Sequence, residues 1–283
     1  MRVLLTGKGG QVGSALLAAL PALGEVVALD RTELDLGRRD AIRAVLRDLR
    51  PQVIVNAAAY TAVDEAEREE ALALRVNRDG PATLAAEAAR LGALLVHFST
   101  DYVFDGEKPS AYLETDAPNP LNAYGRSKLA GESAIQASGC RHLIFRTSWV
   151  YAARGRNFML TMLRLAAEGR ALRVVDDQYG APTSNLMIAD ATTQAIRRAL
   201  GDGALSGLYH MSAGGGTTWY GFARAIFEQK GIAADLAPIA SAEYRATARR
   251  PRNSLLDNVK LGSTFGLHLP RWDAGLAQVL RSL

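Results

Sequence analysis

Arg2-Val3-Leu4-Leu5-Thr6-Gly7-Lys8-Gly9-Gly10-Gln11-Val12-Gly13 opens as a short apolar run and closes on glycines at G-x-x-G-x-x-G spacing. The run predicts a buried strand over Arg2 to Thr6, and the glycines predict a turn over Gly7 to Gly13. Beyond the turn, Ser14 to Leu23 reads as an apolar helix closed by Pro21 and Gly24, and Glu25 to Asp30 as a second strand. Glycine suits such a βα turn because the backbone must bend sharply, approach a pyrophosphate closely and pack helix on strand. The helix N-terminus adds free N–H groups and the positive end of the helix dipole. The glycines lie in the first βα turn and lead to a strand ending in an acid, which is the context a dinucleotide site requires. Asp30 stands where a carboxylate hydrogen-bonds the adenosine ribose hydroxyls, which favours NAD. Arg31 beside it could hold a 2′-phosphate, which favours NADP, so both NADH and NADPH stay open.

Outward from this unit the alternation repeats. A helix over Arg38 to Leu49 precedes an apolar strand over Gln52 to Ala59. A charged helix over Asp64 to Leu74 and an alanine-rich one over Gly80 to Leu91 precede a strand over Ala93 to Ser99, and Leu143 to Trp149 is one more strand. These alternations predict an α/β fold, a doubly wound parallel (Rossmann) sheet with right-handed crossovers. A helix over Asn157 to Glu168, a short strand over Leu172 to Val175 and a polar loop over 176–184 come next. Helix Ala189 to Leu200 and strand Gly207 to Met211 are expected to return to the main sheet, and a helix from Trp219 to Gln229 to lie outside it. The expected division is an NAD(P)-binding domain, 1–150 with about 186–215 returning, and a smaller C-terminal α/β substrate-binding lobe, 151–185 and 216–283.

Ligands of open parallel sheets sit beyond the carboxyl ends of the strands, which locates the candidate residues. Leu34-Asp35-Leu36 could contact an adenine, or Asp35 could be a turn residue starting the next helix. At the end of the 93–99 strand, the Thr100 hydroxyl could hydrogen-bond a substrate oxygen. Ala123-Tyr124-Gly125-Arg126-Ser127-Lys128 opens a helix that puts Tyr124 and Lys128 on one face. A phenol of ordinary pKa near ~10 donates its proton more readily at neutral pH when a cation stabilises the phenolate, and Lys128 is placed to be that cation. Taken alone, the pair also fits an amphipathic helix with a half-buried Tyr and an exposed Lys.

The chain has 283 residues, 48% hydrophobic and 22% charged, the composition of a soluble protein of about two domains. Its 33 basic and 29 acidic residues are spread along the chain, which argues against nucleic acid as a partner. The one cluster, Arg245, Arg249, Arg250 and Arg252, reads as a solvated loop or as a contact to a diphosphate. The single cysteine, Cys140, excludes an internal disulfide and a cysteine-based metal site, and fits a cytoplasmic location. The first apolar run is too short for a signal-peptide core, and no run approaches the ~20 apolar residues of a membrane span, so no membrane partner is expected.

The assembled segments resemble the extended short-chain dehydrogenase/reductase family over essentially the whole chain. The resemblance is carried by the Gly7–Gly13 turn, by Val55-Asn56-Ala57-Ala58-Ala59-Tyr60-Thr61-Ala62-Val63-Asp64, by Ser99-Thr100-Asp101-Tyr102-Val103-Phe104, and by Pro120-Leu121-Asn122-Ala123-Tyr124-Gly125 with Lys128. Phe145-Arg146-Thr147-Ser148-Trp149-Val150-Tyr151 and Asp177-Gln178-Tyr179-Gly180-Ala181-Pro182-Thr183 point to the branch that reduces dTDP-linked 4-keto-6-deoxy-L-sugars.

The resemblance implies an oxidoreductase in which hydride passes from NADPH or NADH to the C4 keto carbon of dTDP-4-dehydro-L-rhamnose, giving dTDP-L-rhamnose for cell-surface polysaccharide. It implies that Tyr124 protonates the oxyanion, that Lys128 lowers the tyrosine's pKa and binds the nicotinamide ribose, and that Thr100 orients the keto oxygen. Gly7, Gly10, Gln11, Val12, Gly13, Asp30, Asp35, Leu36, Ala59, Tyr60 and Thr61, with Tyr124 and Lys128, match cofactor-contacting positions. Thr100, Asp101, Tyr124 and Trp149 match positions near the sugar, although Trp149 equally suits a core aromatic at a strand end. Some members of the branch hold magnesium between two subunits with carboxylates where this chain has Ala15 and Asn185-Leu186. The side chains of Ala15 and Leu186 cannot ligate a hard cation, so no metal and a monomer or weak homodimer are expected. Two other readings stay open: reduction of another nucleotide-linked 4-keto-6-deoxy sugar, and a non-catalytic NADP-binding regulatory subunit. The intact Thr100, Tyr124 and Lys128 set argues against the second.

Overall fold

The computed structural model describes residues 1–244 and 246–283, so Arg245 of the arginine cluster lies outside the described residues. The first half alternates β1 (Arg2–Thr6), α1 (Gln11–Ala19), β2 (Glu25–Leu29), α2 (Arg39–Leu49), β3 (Val53–Asn56), α3 (Val63–Ala66), α4 (Glu70–Leu74), α5 (Gly80–Leu91), β4 (Leu94–Thr100), α6 (Ala123–Ala137) and β5 (His142–Thr147). The second half adds β6 (Val150–Tyr151), α7 (Phe158–Ala167), β7 (Leu172–Val175), β8 (Tyr179–Gly180), β9 (Thr183–Ser184), α8 (Asn185–Gly201), β10 (Gly207–His210), β11 (Thr217–Thr218), α9 (Trp219–Lys230), β12 (Leu236–Ile239), α10 (Val259–Phe265) and α11 (Trp272–Leu280).

Six strands form one parallel sheet in the order β2-β1-β3-β4-β5-β10. Alternate residues serve opposite faces. Val3, Leu5, Val53, Val55 and Val96 pack against α1 and α8, whereas Leu4, Ile54, Leu95 and Ile144 pack against α2, α5 and α6. Because both faces are covered, the strands read as unbroken apolar runs, which is why the sequence betrays them. The chain leaves β1 for β2 on one side and returns to β3 on the other. A crevice therefore opens at the carboxyl ends of β1 and β3, the switch point of the sheet.

A second cluster, with Met159, Met162, Leu172, Phe222, Phe227, Trp272 and Leu276, joins α7, β7, α9 and α11 beside that sheet. Several boundaries differ from expectation for local reasons. Helix α1 starts at Gln11 rather than Ser14, because extended Gly10 caps it and its carbonyl accepts from Ser14 N at 2.9 Å. The helix expected over Asp64 to Leu74 is interrupted between α3 and α4, which lets Glu67 accept from Ala123 N and Glu69 from the Tyr60 hydroxyl. The expected polar loop over 176–184 contains β8 and β9, paired with β11 and β6. Ser184 caps α8 by accepting from Met187 N, so that helix begins at Asn185 rather than Ala189.

Candidate active site

The glycine turn and the end of β3 meet at the switch point. Gly7 has φ +76°, and a Cβ there would lie 2.7 Å from Ala58 N. A Cβ on Gly13 would strike the Gly7 carbonyl oxygen, so α1 can sit this close to β1 only without a side chain. Gly9 is different: a Cβ there meets nothing within 4 Å, leaving open space above the cradle. Gln11 Nε2 reaches Val150 O at 3.5 Å while its buried Oε1 has no partner, and Val12 packs its side chain toward the sheet. Buried Ser99 Oγ, Asp101 Oδ2, Thr147 Oγ1 and Ser148 Oγ also lack partners. All four lie at or just beyond the carboxyl ends of β4 and β5. Orphaned polar atoms at the rim of a glycine cradle suit a polar ligand such as a dinucleotide.

The adenosine end is more varied. Asp30 Oδ1 accepts from Thr32 N at 2.9 Å and from the Thr32 hydroxyl, which holds its pKa below the ordinary carboxylate value. Lys8 Nζ bonds Glu33 and lies 4.0 Å from Asp30 Oδ2. Asp35 is the turn residue: Oδ1 accepts from Gly37 N at 2.9 Å. Leu36 is buried in the core beneath α5. The Ala59-Tyr60-Thr61 loop is clamped by buried Asn77, which accepts from Tyr60 N at 2.8 Å and donates to Tyr60 O and to Ser127 Oγ, both at 2.9 Å. Asn77 sits in a single π-helical turn over 75–79, a feature frequent at functional sites. The Tyr60 hydroxyl donates to Glu69, which raises its pKa to about 12.

Helix α6 delivers the acid–base pair. Asn122 caps it, accepting from Gly125 N at 2.8 Å, and Gly125 lets the helix press on the Tyr102 carbonyl, where a Cβ would collide. The Tyr124 ring packs edge-on against Tyr102 with centroids 5.7 Å apart. Thr100 Oγ1 donates to Asp101 Oδ1 at 2.9 Å. Burial raises the Asp101 pKa to about 6, offset only in part by nearby hydroxyls, of which Thr100 makes the hydrogen bond just described.

Lys128 is not the exposed cation of an amphipathic helix, being 2% exposed. Its Nζ donates to Phe98 O at 2.6 Å and lies 3.2 Å from His97 Nε2. Burial lowers its pKa to about 8, against an opposing pull from Glu132. Lys128 is not among the groups that set the Tyr124 pKa in the protein alone. Burial and then the Asp101 charge raise that pKa, the Thr100 hydrogen bond offsets them in part, and the lysine amine is engaged elsewhere.

Past β5 the backbone turns at Trp149, a non-glycine residue at φ +48°. Such a conformation costs energy and persists where the surroundings enforce it. Here the indole lies against Gly180, where a Cβ would enter the ring, and stacks on Trp219 at 3.5 Å and 5°. The sequence marked Trp219 only as a helix start. In the arginine cluster, Arg250 is committed to Asp64 at 2.7 Å and to Ala248 O, while Arg249 and Arg252 are exposed.

A dinucleotide cradle at the switch point, with a tyrosine and lysine on the helix beside it, defines a nicotinamide-dependent oxidoreductase of the extended short-chain dehydrogenase/reductase class. Within that class the chain belongs to the RmlD substrate binding domain family, whose model matches residues 1–283. It is 48% identical to a dTDP-4-dehydrorhamnose reductase of Burkholderia thailandensis, covering 100% of this chain and 99% of the relative. It is 45% identical to one of Escherichia coli K12, covering 100% and 98%. A crystal structure of dTDP-4-dehydrorhamnose reductase from Bacillus anthracis in complex with NADP superposes with a TM-score of 0.93 at 36% identity, covering 100% of this chain and 99% of that one.

Proposed function

We propose that the protein reduces the C4 keto group of dTDP-4-dehydro-β-L-rhamnose to give dTDP-L-rhamnose, with NADPH or NADH as reductant. The observation that carries the reading is the convergence of Thr100, Tyr124 and Lys128 on the sheet edge beside the glycine cradle, in a chain that resembles such reductases along its whole length. Gly7, Gly10 and Gly13, with the N–H groups of Gln11 and Val12, hold the pyrophosphate. Asp30 takes the ribose hydroxyls, and the Ala59–Thr61 loop lines the path between. The bound nicotinamide supplies a hydride to the keto carbon. The Thr100 hydroxyl turns its one proton from Asp101 Oδ1 to the keto oxygen, and Tyr124 transfers its proton to that oxygen as negative charge develops. Lys128 binds the nicotinamide ribose. A negative charge on Asp101 disfavours a second negative charge on the neighbouring phenol, so it keeps Tyr124 protonated until the oxyanion forms.

In this reading residues 1–150 with 186–215 hold the cofactor, and 151–185 with 216–283 hold the sugar nucleotide, the Trp149–Trp219 stack facing the sugar. No described helix is long and apolar enough to cross a membrane, and the protein acts in the cytoplasm as a monomer or weak homodimer. The test is loss of reduced-nicotinamide absorbance with dTDP-4-dehydro-L-rhamnose, run separately with NADPH and NADH, and identification of the product by NMR. Formation of dTDP-L-rhamnose supports the reading and ranks the cofactors. Cofactor binding without turnover overturns it in favour of another keto sugar or a regulatory subunit.

A further inference from the structure

Strands β1, β3 and β4 carry three polar residues in register on the face covered by α6. Thr6 lies opposite Asn56, and Asn56 opposite His97, just beyond the apolar row of Leu4, Ile54 and Leu95. All three are buried, so their polar atoms need partners. Thr6 Oγ1 donates to Asn56 Oδ1 at 2.7 Å, and Ala58 N donates to the same oxygen at 3.2 Å. A backbone N–H can only donate, which fixes Oδ1 as the acceptor and leaves Asn56 Nδ2 to donate to His97 Nδ1 at 2.9 Å. Burial keeps His97 neutral, and a neutral imidazole accepting at Nδ1 carries its proton on Nε2. That proton faces Lys128 Nζ at 3.2 Å.

An ammonium has three protons and no lone pair, so it would meet the His97 Nε2–H donor against donor. A neutral amine accepts from Nε2–H, donates to Phe98 O and keeps one proton for the site. We propose that His97, oriented by Asn56 and Thr6, is a positioning residue that sets the protonation state of Lys128 by favouring its neutral amine over its ammonium. The proposal deepens the functional reading above and rests on it only for its bearing on turnover.

The other groups around the amine have separate engagements. Glu132, one turn along α6, favours the ammonium but is itself held by Arg146 of β5 through two hydrogen bonds. Tyr124 lies one turn before Lys128 on the same helix, and on the 75–79 turn Arg78 and Asp79 pair with each other. Burial of the amine acts in the same direction as His97.

The chain has five lysines, Lys8, Lys108, Lys128, Lys230 and Lys260, so NMR of protein carrying 13Cε-lysine can follow each one through a pH titration. Lys128→Arg assigns the signal. In the wild type, Lys128 is expected to titrate below the other four. His97→Leu removes the opposing proton and should raise the Lys128 midpoint by about one pH unit or more. Asn56→Asp keeps the acceptor for Thr6 and Ala58 but replaces the Nδ2 donor with an acceptor, which moves the imidazole proton to Nδ1 and frees Nε2 to accept, and should raise it too. A Lys128 that titrates with the other lysines in the wild type, or a midpoint unmoved in His97→Leu, overturns the proposal. Should His97→Leu not fold, an unmoved midpoint in Asn56→Asp does the same. The titration uses no sugar, so a failed turnover assay leaves it standing, and its own failure leaves the assigned reaction untouched.

Discussion

The two residues closest to the proposed chemistry are tuned in directions that spacing along a helix does not reveal. Tyr124 holds its proton more tightly than a free phenol, through burial and the neighbouring Asp101, so it acts as a reserve acid that releases its proton only to a developing oxyanion. Tyr124→Phe keeps the ring and its edge-on contact with Tyr102 while removing the proton. We expect kcat to fall by roughly a hundredfold or more with NADPH affinity unchanged, read by single-turnover kinetics and fluorescence titration. A variant with wild-type kcat would remove Tyr124 from the acid role. Asp101 carries a stability consequence. Its folded pKa of about 6 exceeds the ordinary 3.8, so the folded state binds its proton more tightly than the unfolded chain does. The stabilising contribution is complete below about pH 4 and lost as pH rises through about 6, leaving the buried carboxylate a cost of about 3 kcal/mol at neutral pH. Asp101→Asn should therefore melt a few degrees higher than wild type at pH 7.5, with the gain shrinking toward pH 5 in scanning calorimetry. An unchanged gain across that range would show that the carboxyl is not the source.

At the scale of elements, the βα turn separates structural from functional glycines. Gly13→Ala places a methyl on the Gly7 carbonyl, backbone against backbone, and α1 must move off β1. The expected result is a loss of about 1–3 kcal/mol together with weak NADPH binding. Gly9→Ala meets no protein atom, so its melting temperature should match wild type while NADPH affinity drops, because the methyl occupies the space above the cradle. Wild-type affinity in Gly9→Ala would place the pyrophosphate elsewhere. The turn was legible because glycine spacing is a local property, and the strands around it were legible because burial on both faces leaves an unbroken apolar run. The clamp was not. Asn77 and Tyr60 are seventeen residues apart, and only the break between α3 and α4 and the π turn bring them together. Asn77, a weak helix former amid helical pattern, was its only local signal. The Trp149–Trp219 stack joins residues seventy positions apart, and the positive φ of Trp149 leaves no trace in its neighbours. The inward turn of the Lys128 amine escaped for a related reason: helical spacing gives the face of a residue but not what covers that face.

Across the whole molecule, α8 joins the two hydrophobic clusters, because it packs on α1 over the main sheet while Met187 in its first turn lies in the second cluster. Ala15 and Asn185-Leu186, the positions from which the absence of a metal is expected, lie where α1 and α8 meet. Here Ala15 is buried between the helices, and Asn185 Nδ2 donates to Gln11 O at 2.9 Å, which engages that backbone carbonyl. That face exposes Leu17 and Leu186, neither able to bind a hard cation, and one turn further along α8 a single carboxylate, Asp190, which accepts from Gln194. Two exposed leucines and one carboxylate fall far short of the ~800 Å² per partner of a stable interface. Mass by light scattering should therefore read as a monomer in millimolar magnesium and in EDTA alike, and kcat should not change between the two. A mass that doubles with magnesium and halves with EDTA would sink the metal-free reading. A dimer that persists in EDTA would keep it and move the contact to another face.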